Sequence, residues 1–327
     1  MKPAHIKSAL TSLLTINQPV FIWGPPGIGK SQVVKQTAVD LGLEIRDIRA
    51  ILLDPVDLRG LPQISPDGLS RWCAPAFLPM AGRGVLFLDE LNAAPPLVQA
   101  ACYQLVLDRR LGEYELPEGW SVVAAGNREQ DRAVSHRMPS ALANRFVHID
   151  FEVDADQWQA WASRAGICRE VRAFIRFRPQ LLHDFDPKRD TRAFPAPRSW
   201  EFVSNLLVSK PDPDLVHQLV EGSVGQGAAA EFTGFLEMWH TLPAAKDILT
   251  DPDGVEIPDN PAVLFALSEM MGAAVTLDNI ARVMAWARRI PPEFSVLLMR
   301  EAVRRTPGVV ETPAFTNWAS SNAQILV

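Results

Sequence analysis

Eight consecutive residues carry the clearest chemistry in this chain. Gly24-Pro25-Pro26-Gly27-Ile28-Gly29-Lys30-Ser31 fits the pattern G-x-x-x-x-G-K-[ST] throughout. A tight loop of this composition can turn its backbone N–H groups inward on phosphate oxygens, because glycine allows both the dihedrals and the close approach. The helix expected beyond it adds partial positive charge at its N-terminus. In that setting Lys30 reaches the β- and γ-phosphates of a nucleotide, and the Ser31 hydroxyl ligates Mg2+. A second element supports the first. Val85-Leu86-Phe87-Leu88-Asp89-Glu90 is an apolar strand ending in two carboxylates. Adjacent acids at the end of a buried strand repel each other and are costly to desolvate unless a cation or a reacting group lies there. A Mg2+ held through its waters by Asp89 supplies that charge and leaves Glu90 to polarise the water that attacks the γ-phosphate. ATP and Mg2+ are therefore the expected cofactors.

Strands alternating with helices must position these groups. Val20 to Trp23 is a short apolar run stopped by the glycine loop, and a helical pattern follows from Ser31 to about Leu41. Leu43 to Ile48 alternates as a strand does. Val85 to Leu88 and Val122 to Ala125 are continuous apolar runs of the kind buried on both faces of a sheet, and Phe146 to Phe151 makes a fifth strand. Pro95 to Leu107 and Pro139 to Ala143 read as helices with proline in the first turn. This alternation predicts a parallel five-stranded sheet sandwiched by helices. After Phe151 the strand signal stops. Asp154 to Ala165 puts Trp158, Trp161, Ala162 and Ala165 on one helical face, with Gly166 as its stop. Helices are also expected over Ile167–Phe177, Ser199–Val208, Asp214–Glu221, Ala228–Trp239, Pro261–Val275 and Leu277–Ala287, with a loop over Thr250–Pro261.

Composition bounds the function. The chain has 327 residues, 47% hydrophobic and 21% charged, which excludes disorder as the dominant state and predicts two or three domains. A net charge of −6 argues against wrapping nucleic acid. Three scattered cysteines, Cys73, Cys102 and Cys168, fit a reducing compartment, and no apolar stretch has the length of a signal peptide or a membrane span. A soluble cytoplasmic protein is expected. The histidines show no metal-ligand spacing. Arg300, Arg304 and Arg305 lie at helical spacing and read as a solvated face.

The loop GPPGIGKS, the segment VLFLDELNAAPP, the strand end VVAAGNRE and the later ALANRF together resemble the AAA+ ATPases, and within them the MoxR branch that includes the CbbQ/NorQ-like activators. The resemblance covers about residues 18 to 210, and DELNAAPP is its most branch-specific part. It implies a P-loop AAA+ core over residues 1–151, an α-helical lid over 152–210 and a helical C-terminal extension over 211–327. It also implies a nucleotide-binding set of Gly24 to Ser31, with Gln32 next in the helix. Asn127 falls at the sensor-1 position, where a neutral amide can hold the attacking water or a γ-phosphate oxygen. Arg145 falls at the position of the arginine finger, offered to a neighbouring subunit's phosphoryl group, which is why such proteins form rings. Arg137 is a second candidate for that trans contact. Arg198 matches the sensor-2 position opening a lid helix, from which it can reach the γ-phosphate.

Two inserts look like those of this branch. The first, Leu53 to Pro62 and on to Arg71-Trp72, is of the kind that faces a ring pore. The second, Arg109 to Pro117, looks like a hairpin. Exposed aromatic residues on such loops would grip a polypeptide; Trp72 and Trp120 beside them are read as core ahead of that role. The resemblance implies a ring-forming, hexameric ATPase that remodels or activates a partner protein. The partner class includes proteins with a von Willebrand factor A domain and metalloenzymes awaiting activation. An AAA+ motor or loader on nucleic acid is the alternative. A small-molecule kinase is a third reading, which the Asp89–Glu90 pair and the set Asn127, Arg145 and Arg198 disfavour. Lys30→Ala is expected to lower nucleotide affinity sharply in an equilibrium binding titration. Unchanged affinity would remove the phosphate cradle.

Overall fold

The computed structural model describes residues 1–131, 138–189 and 191–322. Among them are nine strands: β1 (Val20–Trp23), β2 (Glu44–Arg49), β3 (Leu61–Ile64), β4 (Ser70–Cys73), β5 (Gly84–Asp89), β6 (Arg110–Leu111), β7 (Tyr114–Glu115), β8 (Trp120–Gly126) and β9 (Val147–Asp150). Five of these make one sheet in the order β2-β5-β8-β1-β9. Every pairing in it is parallel, with Val20 opposite both Val123 and Val147, and Leu88 opposite both Ile48 and Ala124. The five-stranded parallel sheet expected from the sequence is the observed one. Its central strands β5 and β8 are the continuous apolar runs, while the alternating Glu44–Arg49 lies at an edge, half in water.

Met1–Arg164 and Leu182–Phe202 form one compact unit, and Ala165–Leu181 and Val203–Val327 a second. In the first, α1 (Pro3–Thr15), α2 (Lys30–Asp40), α3 (Pro55–Arg59), α4 (Pro96–Asp108), α5 (Ser140–Ala143) and α6 (Ala155–Ala165) accompany the sheet. The period-2 alternation of strand side chains divides its core in two. Leu86, Leu88, Val122 and Ala124 face Val98, Cys102 and Leu105 of α4. Val85, Phe87, Val123 and Ala125 face Val34 and Ala38 of α2 and Ile6, Leu10 and Leu14 of α1. Helix α1 has no counterpart in the sequence reading. Its three apolar residues at four-residue spacing are fully or nearly fully buried, each contributing about 2 kcal/mol.

The two inserts differ. Hairpin β6–β7 is anchored: Leu111 and Tyr114 are buried, and Arg109 donates to the carbonyls of Pro117 and Trp120 at 2.7 and 2.8 Å. Trp120 is core, as expected, and fully buried. Trp72 is not. It lies 40% exposed on hairpin β3–β4, whose eight strand residues are all exposed. The Trp72 backbone N–H donates to Glu113 on the β6–β7 turn at 3.1 Å, so a side chain from one insert secures the backbone of the other.

The second unit is helical: α7 (Arg169–Phe177), the end of α8 (Pro197–Val208), α9 (Pro213–Val224), α10 (Gln226–His240), α11 (Ala245–Thr250), α12 (Pro261–Ala273), α13 (Ile280–Ala287), α14 (Pro292–Arg305) and α15 (Pro313–Ser321). Helix α13 starts three residues later than expected because Thr276 and Asn279 exchange side chain–backbone bonds that make a turn of the intervening residues. Helices α14 and α15 were outside the sequence reading. No helix among the described residues is long and apolar enough to cross a membrane.

Arg300, Arg304 and Arg305 are exposed, as a solvated face requires, but Arg304 and Arg305 also reach inward. Both bond Glu301 at 2.6 Å, and Arg176 from α7 bonds it at 3.0 Å while also pairing with Glu269. The Glu301 side chain is only 2% exposed. Burial pushes its carboxyl up, but the bonds from Arg304 and Arg305 and the charge of Arg176 outweigh burial and hold it down at about 2. Glu269 goes the other way, raised by burial that Arg176 only partly offsets. A depressed carboxyl stabilises the fold above its unfolded pKa of 4.5 and loses that contribution as pH falls toward about 2. Glu301→Gln leaves three guanidiniums around a neutral amide and is expected to cost about 3 kcal/mol at pH 7. In thermal unfolding scans that deficit shrinks steadily below pH 4.5; a deficit unchanged at pH 2.5 would contradict the ion-pair account.

Candidate functional site

The phosphate-type loop leaves the carboxyl end of β1, and the parallel sheet delivers the ends of β5 and β8 to the same edge. Gly27 and Gly29 take φ of +78° and +96°, values that side chains disfavour, and this turns the loop back into the first turn of α2. Ile28 between them is buried and packs the loop onto the core. The N-terminus of α2 has no side-chain cap, which leaves its N–H groups directed at the loop.

Lys30 lies at the centre. Its ammonium donates to the carbonyls of Gly24 and Pro25 at 2.6 and 3.0 Å and to Asn127 Oδ1 at 2.8 Å. Burial pushes it down to about 8; Asp89, Asp131 and Glu90 oppose the fall, and Arg198 adds to it. Ser31 Oγ donates to Asp89 Oδ2 at 2.8 Å, which joins the hydroxyl of α2 to the carboxylate at the end of β5. The other oxygen of Asp89 accepts from the Glu90 backbone N–H at 3.1 Å. Glu90 takes a left-handed φ of +56°, an uncommon conformation for a side-chain-bearing residue.

Several residues outside the sequence-derived set hold this cluster. Asn92 is buried and donates from Nδ2 to the Asn127 carbonyl at 2.7 Å, while Gln99 Nε2 bonds the carbonyls of Asn92 and Ala94. Gly126 admits this approach: a Cβ there would lie 2.0 Å from Asn92 Oδ1. Asp131 is buried and takes three bonds from Arg128, the residue after Asn127. His183 packs against the loop. Burial lowers its imidazole, a hydrogen bond to the Pro26 backbone partly offsets that, and its Nε2 is buried with no partner among the described residues. Of these, Asn92 stands inside the DELN segment and was legible as a motif letter. The others carry no local signal.

The remaining expected residues fall as follows. Arg198 donates its backbone N–H to the Gly27 carbonyl at 3.2 Å, at the start of α8, and Ser199 caps that helix through the Ala196 N–H. Gln32 is exposed on α2. Arg145 is exposed on the turn after α5, outside the Lys30 cluster, and its guanidinium makes no hydrogen bond or ion pair among the described residues. Arg137 lies outside the described residues. A cavity of about 640 Å³ lies in the same unit, lined by Arg128, Glu129, Gln130, Asp150, Phe151 and Glu152. Phe151 also lies against Gly24 at the start of the loop. The donor set suits the expected groups: inward N–H groups and an ammonium for phosphate oxygens, and a hydroxyl paired with a carboxylate as hard oxygen ligands for Mg2+.

Residues 19–146 match the AAA domain of the dynein-related subfamily. Over 171 residues the chain is 25% identical to midasin of Giardia intestinalis, a stretch that is 49% of this chain and 4% of midasin. Among solved structures, NtrX of Brucella abortus in complex with ADP superposes with a TM-score of 0.43 at 15% identity, covering 94% of this chain and 64% of NtrX. A variant of Thermotoga maritima RuvB gives 0.42 at 17% identity, covering 84% of each chain. The matched segment runs from the start of β1 to the turn that carries Arg145 and holds the loop, Asp89, Glu90 and Asn127.

Proposed function

We propose that this chain is a Mg2+-dependent, ring-forming AAA+ ATPase of MoxR type, expected as a hexamer, that spends ATP hydrolysis on remodelling or activating a partner protein. The observation that carries this reading is the joining of Lys30 to Asn127 and of Ser31 to Asp89 at one sheet edge, while Arg145 is turned outward on an exposed surface. In this reading the loop N–H groups and Lys30 hold the β- and γ-phosphates. Ser31 and Asp89 hold Mg2+, which when bound offsets charge on the phosphates. Glu90 accepts a proton from the attacking water, and Asn127 orients that water or a γ-phosphate oxygen. Arg198 contributes its guanidinium from the start of α8. Arg145, with Arg137 as the other candidate, serves the site of the next copy. The lid is assigned to 152–210 and partner docking or ring contacts to 211–327. The DELNAAPP segment supports the MoxR assignment, and the partner class includes proteins with a von Willebrand factor A domain.

Turnover per chain is expected to climb with protein concentration and then saturate. At saturation, Arg145→Ala is expected to lower kcat by about a thousandfold. Glu90→Gln is expected to retain ATP binding and lose at least about a hundredfold in rate. A full rate in Arg145→Ala would remove Arg145 from the shared site and leave Arg137 as the trans candidate, and strong stimulation by added DNA would favour the nucleic-acid motor instead.

Lys30 makes binding proton-linked. Its ammonium titrates at about 8 in the free protein and is the form that holds phosphate. Affinity for ATP is therefore expected to fall as pH rises through 8, by up to about tenfold per unit. Lys30→Arg, always charged, is expected to give a flatter profile; parallel profiles would show that Lys30 is not the titrating group.

A further inference from the structure

Trp23 is the last residue before the glycine loop, and its indole does not end in the core. Trp23 Nε1 donates to His148 Nδ1 at 2.8 Å, and His148 Nε2 lies 2.8 Å from the Ala143 carbonyl. A ring that accepts at Nδ1 donates from Nε2, so both nitrogens are committed in this arrangement. The pairing of β1 with β9 sets His148 opposite Phe21, on the face that Trp23 and Phe146 share. Four rings assemble there. Trp23 stacks on Phe21 with centroids 4.1 Å apart and on His148 at 5.9 Å, and Phe146 meets Phe21 edge-on at 5.5 Å.

The acceptor at the far end is the relevant one. The Ala143 carbonyl also takes the Phe146 N–H at 3.2 Å, and these two residues bracket Asn144 and Arg145. One carbonyl therefore closes the turn that presents Arg145 and receives the proton of His148. Packing alone does not call for an imidazole: His148 is exposed on an edge strand, where phenylalanine would stack as well. What the imidazole adds is a donor and an acceptor on opposite sides of one ring.

We propose that Trp23 and His148 are positioning residues for Arg145, linking the start of the phosphate loop to the turn that offers the guanidinium to a neighbouring copy. The inference rests on the trans role of Arg145 given above. A shift of the loop carries Trp23 with it, and the Trp23–His148–Ala143 bonds transmit the shift to the Arg145 turn. Occupancy of one copy's site thereby adjusts the residue it supplies to the next.

The test uses the full chain at concentrations where turnover per chain has saturated. His148→Phe keeps the ring and removes both bonds, Trp23→Phe removes only the donor, and His148→Gln keeps a donor and an acceptor. The two phenylalanine variants are expected to lose between about ten- and a hundredfold in kcat with KM for ATP within about twofold, since misplacing a group that acts in the transition state costs rate more than binding. His148→Gln is expected to recover most of the rate. The deciding arm is the double variant. In an Arg145→Ala background, His148→Phe and Trp23→Phe should add no further loss, because they act through the missing guanidinium. Equal losses in both backgrounds, or no loss from either variant alone while Arg145→Ala is slow, would overturn the positioning role. A full rate in Arg145→Ala itself would instead overturn the trans reading on which it rests.

Discussion

Five parallel strands end on one edge of a sheet, and the chemistry of this chain depends on that constraint. The loop follows β1, the Asp89–Glu90 pair follows β5, and Asn127 follows β8, all in register. Reversing any one of these strands would carry its terminal group to the opposite edge, about 15–20 Å away. The helices on each face keep the strands parallel, and the strands in turn tolerate it because β5 and β8 are apolar on both sides.

Within that frame the site is held by saturation of polar groups. The half-buried Lys30 ammonium has three oxygen partners, of which none carries a formal charge, and loss of solvent therefore leads and moves it down to about 8. The buried Glu301 carboxylate in the second unit has three guanidiniums, and there charge leads and moves it down to about 2. The same two physical effects compete in both places, and the charge of the partners decides which prevails. One group is left able to answer an arriving anion; the other is fixed as a strut between α7 and α14.

Close approach does the rest. Gly126 and Asn92 bring the turn after β5 against the end of β8, so a hydrogen bond joins the segment after the carboxylate pair to Asn127. The inserts are built on the opposite principle. The β6–β7 hairpin is anchored in the core, while β3–β4 stands in water and its Trp72 backbone is held by the Glu113 carboxylate. An exposed Trp72 on that hairpin is affordable because its neighbours are few, and this is why reading it as core failed where the same reading of Trp120 held.

The sequence by itself determined what depends on contiguous residues. The loop from Gly24 to Ser31 is one unbroken word whose backbone geometry its glycines impose. The apolar runs Val85–Leu88 and Val122–Ala125 announce central strands because burial on both faces leaves no room for polar letters. These sufficed for the parallel sheet and for Lys30, Ser31 and Asp89 as neighbours. The tertiary structure decided what depends on partners distant in the chain. Helix α1 looked featureless because its stripe of Ile6, Leu10 and Leu14 gains meaning only against β1 and β8. Arg304 and Arg305 face solvent as read, but their bonds to Glu301 were hidden, because an arginine pair looks the same whether or not a buried carboxylate lies beneath it. His148 had no motif to declare it, since its two bonds reach residues 125 and 5 positions away and exist only once β9 lies beside β1. A hydrogen bond across such separations is set by packing, and packing is written in no single stretch of residues.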